Sequence, residues 1–249
     1  MTASKVYFSI ITLNFMKTVI LCGGRGSRMQ SETESRPKPL LAIGGKPILW
    51  HIMKIYAHHG FNEFILALGY KGELIKEYVT GGLQDGFKIE AVDTGSETLT
   101  SERIKKLEPY IDGSEFMLTY GDGVADIDIP KLIEFHRGQG TIGTITGANP
   151  YSKYGFLNID FDKNLVVDFH EKPLMRDNYV NSGFMVFNKK IFDYLDSEML
   201  EKNTLPILAK SGELSVYRHH GFWKAMDTPK EVEELNNLWQ KSQPWKIWS

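Results

Sequence analysis

The chain has 249 residues, 42% of them apolar, which is enough for one substantial domain around a continuous core and argues against disorder. Twenty-nine basic residues against 31 acidic ones leave a net charge of −2, too small for a sequence-independent attraction to nucleic acid or an anionic membrane. Cys22 is the only cysteine, so no internal disulfide and no cysteine-based zinc cluster can form, and a reducing cytoplasm fits.

Within residues 1–15 the stretch from Lys5 to Phe15 is moderately apolar, but Ser9, Thr12 and Asn14 interrupt a run that is already too short for these residues to cross a bilayer. They are expected to be a peripheral extension upstream of a domain spanning 16–249. Thr18 to Cys22 is a β-branched and apolar run that breaks into Gly23-Gly24-Arg25-Gly26-Ser27-Arg28-Met29, a pattern of buried strand and tight loop. Pro47 suits a first helical turn, and Ile48, Ile52, Ile55 and Tyr56 follow at helical spacing until Gly60. Phe64 to Leu68 predicts a strand and Glu73 to Val79 a helix, so strand and helix alternate as in a doubly wound sheet. Phe116 to Thr119 predicts a strand with Asp122 at its carboxyl end, and Ile129 to Phe135 a crossover helix. Beyond Gly140 the pattern turns strand-rich (Ile142 to Thr146, Phe156 to Ile159, Val166 to His170, Phe184 to Phe187) before helices near Leu205 and Val232. The expected fold is α/β, a Rossmann-like doubly wound mixed sheet with a strand-rich lobe, divided softly into halves at 16–140 and 141–249.

The three glycines of the first loop let main-chain N–H groups turn inward around an anion, and Arg25 and Arg28 supply positive charge. Alone, such a cluster is more often an ordinary strand-to-helix turn, and it lacks the Gly-Lys-Ser/Thr ending of a Walker loop. The next segment, Arg36-Pro37-Lys38-Pro39-Leu40, flanks one lysine with two prolines, which is expected to hold its backbone extended and stiffens the direction of the ammonium. A fixed cation close behind a glycine loop suits a triphosphate.

Together, Leu21-Cys22-Gly23-Gly24-Arg25-Gly26-Ser27-Arg28-Met29, Pro37-Lys38-Pro39 and Gly44-Gly45-Lys46-Pro47-Ile48 resemble the opening signature of the sugar-1-phosphate nucleotidyltransferases. Gly121-Asp122-Gly123, Glu171-Lys172-Pro173, Asn181-Ser182-Gly183 and Trp223-Lys224-Ala225-Met226-Asp227-Thr228 continue the resemblance in order from Met16 to the end. Lys46 to Met53, Gly69-Tyr70-Lys71-Gly72, Val92-Asp93-Thr94-Gly95 and Pro244-Trp245-Lys246-Ile247-Trp248 are most similar to the glucose-1-phosphate cytidylyltransferase branch. The resemblance implies that Leu21, Gly23, Gly24, Gly26, Ser27, Arg28, Lys38, Thr98, Arg103 and Gly121 surround the nucleotide. It further implies that Asp122 and Asp227 bind Mg²⁺, that Arg28, Lys38 and Asp122 are catalytic, and that Gly155, Glu171, Lys172 and Asn181 meet the sugar phosphate, with Glu171-Lys172-Pro173 expected on a strand of the second half.

The implied reaction joins a nucleoside triphosphate, CTP by this resemblance, to a sugar 1-phosphate, glucose 1-phosphate by the same token, with release of pyrophosphate. Its partners are these two small molecules, with neither nucleic acid nor membrane, and it leaves room for a homo-oligomer. Departures from the branch are Ser27 for a threonine, Ser101-Glu102 where two glycines usually precede the arginine, and a shortened stretch between Tyr78 and Val92. Glu102 raises a question of base choice, since a carboxylate accepts but does not donate; a solvent-facing glutamate is the plainer reading. The nucleophile is an ionised phosphate, so no general base is needed, and His51, His58, His59, His219 and His220 are given structural roles. Asp126 and Asp128 are read as starting the following helix rather than as metal ligands. Two other functions stay open: the same transfer with UTP or dTTP, and a regulatory subunit that binds nucleotide or sugar phosphate without turnover.

Overall fold

The computed structural model describes residues 16–26, 29, 33–83 and 85–249. The extension 1–15, Ser27 and Arg28 lie outside the described residues.

Strand β1 (Thr18–Leu21) is buried along its whole length and forms the middle of a seven-stranded sheet. The short β2 (Ala42–Ile43) and β3 (Lys46–Pro47) pair as a hairpin and lead into helix α1 (Ile48–His58). There follow β4 (Glu63–Leu68), α2 (Gly72–Thr80), β5 (Lys88–Asp93), α3 (Thr100–Lys105), β6 (Glu115–Tyr120), β7 (Gly123–Ala125) and α4 (Ile129–Gln139). The later chain adds β8 (Gly143–Ala148), β9 (Phe156–Asp160), β10 (Leu165–His170), β11 (Val180–Asn188), α5 (Thr204–Lys210), β12 (Leu214–His219), β13 (Trp223–Ala225) and α6 (Pro229–Lys241).

The sheet order is β12-β8-β11-β6-β1-β4-β5. β1 runs parallel to both β4 and β6, and only β11, wedged between β6 and β8, runs antiparallel. The chain leaves β1 toward β4 and β5, then returns on the other side to β6. The β1/β6 gap is therefore a topological switch point, where loops leaving the carboxyl ends diverge and open a crevice. The expected mixed doubly wound sheet is the observed one. Its later strands β8, β11 and β12 share this sheet with the earlier ones, while β9 and β10 form a separate two-stranded ribbon and β13 pairs with β7 outside the main sheet.

Alternation along β1 explains why both faces must be covered. Ile20 and Cys22 join one core with Ile52, Tyr56, Leu66, Met117 and Phe184, whereas Val19 and Leu21 join the other with Ile65, Ile104, Leu118 and Met185. On α1 the apolar residues recur at helical spacing, and Ile48, Leu49, Ile52, Met53, Ile55 and Tyr56 are fully buried. Each such side chain contributes about 1.5–3 kcal/mol by leaving water. Pro47 stands just before the helix in an extended conformation rather than inside its first turn. Asp128 caps α4 by accepting from the Lys131 N–H at 3.0 Å, as its position before the helix suggested. Asp126 does otherwise: its carboxylate faces His219 Nε2 at 3.0 Å.

The carboxyl-terminal Trp245 is fully buried and packs with Phe222 and Trp239 around His51. His51 Nε2 donates to the Ile43 carbonyl at 2.8 Å, so its Nδ1 is free to accept from Trp245 Nε1 at 3.3 Å. That arrangement needs a neutral ring, and burial lowers the His51 pKa to about 4. The end of the chain thereby clamps the segment that follows Lys38.

Candidate active site

A cavity of about 490 Å³ opens at the β1/β6 switch point, a size suited to a nucleotide. Its floor is the chain leaving β1. Cys22 N–H donates to Ala67 O at 3.0 Å and Tyr70 N–H to Gly23 O at 3.1 Å, which ties the glycine loop to β4 and the loop beyond it. Gly23 is required by a close approach: a Cβ there would lie 2.1 Å from the Arg103 guanidinium. Gly26 has φ +63°, a left-handed conformation that glycine adopts without strain, and its carbonyl accepts from Met29 N–H at 2.8 Å.

Arg103 is buried beneath this loop at 3% exposure. Its guanidinium donates to Leu68 O at 2.6 Å, Gly95 O at 3.0 Å, Thr98 O at 2.7 Å and the Thr94 hydroxyl. Burial draws its pKa downward, but a guanidinium keeps its proton. Arg103 thus ties the 94–98 loop to the carboxyl end of β4 through carbonyl oxygens, directly beneath Gly23. Cys22, buried beside it, has its thiol pKa pushed well up by burial and is inert as a nucleophile.

At the opposite end the two carboxylates meet. β7 pairs antiparallel with β13, bringing Gly123 opposite Ala225, and Met226 N–H donates to Asp122 O at 2.8 Å. Thr228 caps α6 while Glu231 reaches back to accept from Asp227 N–H at 2.7 Å, which fixes Asp227 at the helix start. Lys38 Nζ lies 2.6 Å from Asp122 Oδ2 and 2.8 Å from Asp227 Oδ1. Its side chain is only 11% exposed. The backbone at Lys38 is a short 3-10 turn through Leu40 rather than the extended segment expected between two prolines, with Pro37 extended before it and Pro39 buried. The direction of the ammonium is still fixed, by burial of Pro39 and by the turn.

One ammonium donating to both carboxylates shows that they converge on a single cation position. Among the described residues no group of three or more His, Cys, Asp and Glu could hold a metal. Two hard carboxylates with further positions left for phosphate and water match Mg²⁺, which seldom takes an all-protein cage. The donor set of Asp122 and Asp227 fits that ion.

The cavity wall brings together Leu21, Gly23, Gly24, Gly26, Lys38, Thr98, Arg103, Gly121, Asp122 and Asp227, separated by up to about two hundred residues in sequence. Gly155, Glu171, Lys172 and Asn181 are not on this wall. Glu171 and Lys172 pair at 2.9 Å in the turn after β10 rather than on a strand, and Lys172 has φ +45°, a conformation uncommon for a residue with a side chain. Gly155 lies beside them: a Cβ there would come 3.2 Å from Glu171 Oε2. Asn181 lies on β11, where its side-chain oxygen accepts from Gly183 N–H at 2.9 Å.

Several wall residues were not singled out from the sequence. Tyr120 donates to Glu201, and burial and that carboxylate push its phenol pKa up. Glu201 also accepts from Thr100 Oγ1 at 3.1 Å, joining the carboxyl end of β6 to the start of α3. Glu97 lines the cavity and pairs with Arg25 of the glycine loop, whose guanidinium lies 5.4 Å from the Tyr70 ring centre. Glu102 does not line it. It pairs with Lys106 one helical turn on, at 3.1 Å. Among the described residues no histidine lines the cavity either.

This sheet, switch point and carboxylate pair are those of a nucleotidyl-transfer fold, and the sequence comparisons agree. Residues 17–240 match the family described as nucleotidyl transferase, and the chain belongs to that family. It is 47% identical to the "Probable glucose-1-phosphate cytidylyltransferase" of Bacillus subtilis, over 94% of this chain and all of the relative. It is 41% identical to the glucose-1-phosphate cytidylyltransferase of Salmonella typhimurium over the same shares. Among solved structures, HddC from Yersinia pseudotuberculosis superposes with a TM-score of 0.72 at 27% identity, covering 90% of this chain and 99% of that one.

Proposed function

We propose that this protein transfers the cytidylyl group of CTP to glucose 1-phosphate, giving CDP-glucose and pyrophosphate. The observation that carries the transfer chemistry is the single Lys38 ammonium held between Asp122 and Asp227 beneath a glycine loop at the switch point. The choice of CTP and glucose 1-phosphate rests on two cytidylyltransferases, 41% and 47% identical over nearly the whole chain.

In this reading an oxygen of the sugar phosphate attacks the α-phosphorus in line, and the bond from that phosphorus to the pyrophosphate oxygen breaks. Both reactants are anions, so positioning and charge neutralisation supply most of the catalysis. Backbone N–H groups around Gly23, Gly24 and Gly26 cradle the triphosphate, and Leu21, Thr98 and Gly121 bound the nucleoside. Arg103 acts from below, holding the 94–98 loop in shape. Lys38 moves from its carboxylate partners to the phosphates, and Arg28 joins it in offsetting charge on the departing pyrophosphate. Asp122 and Asp227 would hold Mg²⁺, which supplies Lewis-acid polarisation of the α-phosphate. Lys172, with Glu171, Gly155 and Asn181, holds the acceptor. The nucleophile is already ionised, so no side chain need remove a proton. No described helix is long and apolar enough to cross a membrane, and the buried Cys22 thiol suits the reducing cytoplasm where we place the protein.

Pyrophosphate release measured over a matrix of triphosphates and sugar 1-phosphates tests the reading. It requires the highest kcat/KM with CTP and glucose 1-phosphate. Release without any sugar phosphate, or none with any pair, would point instead to hydrolysis or to a binding protein.

A further inference from the structure

The cavity wall holds three carboxylates, and the cation position accounts for only two of them. The third, Glu97, belongs to the 94–98 loop that follows β5, and the sheet order β6-β1-β4-β5 puts this loop on the other side of the glycine loop from Asp122, which follows β6. A carboxylate beside a triphosphate would repel it, so this side suits the uncharged nucleoside rather than the phosphates. We propose that Glu97 reads the base, accepting a hydrogen bond from the exocyclic amine of cytosine. This rests on the cytidylyltransferase reading above and deepens it by naming the residue that discriminates.

The other polar groups of this loop already have internal partners. Thr98 Oγ1 donates to Thr94 O at 2.6 Å, the Thr98 and Gly95 carbonyls accept from Arg103, and Thr100 Oγ1 donates to Glu201. Glu97 differs in being exposed and in having only exchangeable partners, the exposed Arg25 of the glycine loop and the neighbouring Ser96 hydroxyl at 3.3 Å. The Arg25 guanidinium holds the carboxyl below the usual carboxylate range, so it is ionised and purely an acceptor at neutral pH. Cytosine presents an amine donor where uracil and thymine present a carbonyl, and a carboxylate facing that carbonyl is left unpaired and repelled. Arg103 holds the loop backbone on both sides of Glu97, through Gly95 O and Thr98 O, which keeps this residue at the cavity edge. When nucleotide enters, Arg25 exchanges its carboxylate partner for phosphate, which lets one ion pair serve both halves of the ligand.

The test measures kcat/KM for CTP and UTP, and binding of each triphosphate by calorimetry, in the parent, Glu97→Gln and Arg25→Ala. Glutamine can turn either its donor or its acceptor toward the base, so Glu97→Gln is expected to lower the CTP-to-UTP ratio about tenfold or more, in binding and in turnover alike. Arg25→Ala breaks the same ion pair from the other side and is expected to weaken both triphosphates while keeping their ratio. A parent that prefers CTP with an unchanged ratio in Glu97→Gln overturns the assignment of Glu97. Equal shifts in Glu97→Gln and Arg25→Ala also overturn it, since the ion pair rather than the carboxylate would then set base choice. A parent that prefers UTP or dTTP instead overturns the cytidylyltransferase reading itself.

Discussion

Lys38 and Asp122, 84 residues apart, meet with 2.6 Å between Nζ and Oδ2, and the same ammonium reaches Asp227 on the far side. The lysine therefore occupies the position that the two carboxylates would offer to a metal. A metal bound there would have to displace the ammonium, because two positive charges cannot share one pair of carboxylates at contact distance. Lys38→Ala is expected to lower kcat/KM by about a hundredfold or more. It should also leave Asp122 and Asp227 repelling each other, so that thermal stability falls in the absence of Mg²⁺ and recovers on its addition. A Lys38→Ala melting temperature indifferent to Mg²⁺ would show that the carboxylates do not address a common ion.

Asp122→Asn and Asp227→Asn should each remove most turnover while leaving the far-ultraviolet circular dichroism unchanged, since amides are poor ligands for a hard cation and neither side chain belongs to the core. A fully active Asp122→Asn protein would exclude the metal role.

Lys172→Ala should raise KM for the sugar phosphate about tenfold or more with little change for the nucleotide, because Lys172 lies outside the cavity wall that holds Lys38. Loss of nucleotide affinity with unchanged sugar phosphate affinity would reverse the two sites.

Burial of His51 makes stability depend on pH. Its folded pKa, about 4, lies below the unfolded value of 6.5, so between these values the unfolded chain binds more protons. Stability from this group is complete above pH 6.5 and is lost as pH falls toward 4, by up to about 3 kcal/mol. Urea midpoints at pH 7, 5.5 and 4.5 should fall less steeply for His51→Gln than for the parent, although the substitution lowers the pH 7 value by removing the bond to Trp245. Parallel curves for the two proteins would place the acid sensitivity elsewhere, for instance at the buried His136.

How far the sequence reveals this structure depends on the range of the interaction. β1, β4, β6 and α1 were legible because their apolar periodicity is local, and Gly23 to Gly26 because tight turns need particular residues. β5, with polar residues at alternate positions on the sheet edge, and the brief α3 and β12 escaped notice. The antiparallel placement of β11 is a matter of long-range pairing that leaves no local trace. The same holds at the site. Asp122 and Lys38 were visible in motifs, whereas the burial of Arg103 under Gly23 and the bond between Tyr120 and Glu201 arise only when distant segments pack. Sequence reasoning placed the question of base choice at Glu102, five residues beyond the glutamate that lines the cavity. The Gly95-Ser96 turn at the end of β5 was the available signal for Glu97, since loops at strand carboxyl ends form the crevice.

The most direct measurement of the central claim is a competition in one vessel. Glucose 1-phosphate, Mg²⁺ and equal concentrations of CTP, UTP, dTTP and GTP are incubated with the purified protein, and the sugar nucleotides are resolved by mass. The account predicts CDP-glucose as the dominant product, formed in step with pyrophosphate and absent with Asp122→Asn. A dominant UDP-, dTDP- or GDP-glucose, or triphosphate consumption without any sugar nucleotide, would contradict it.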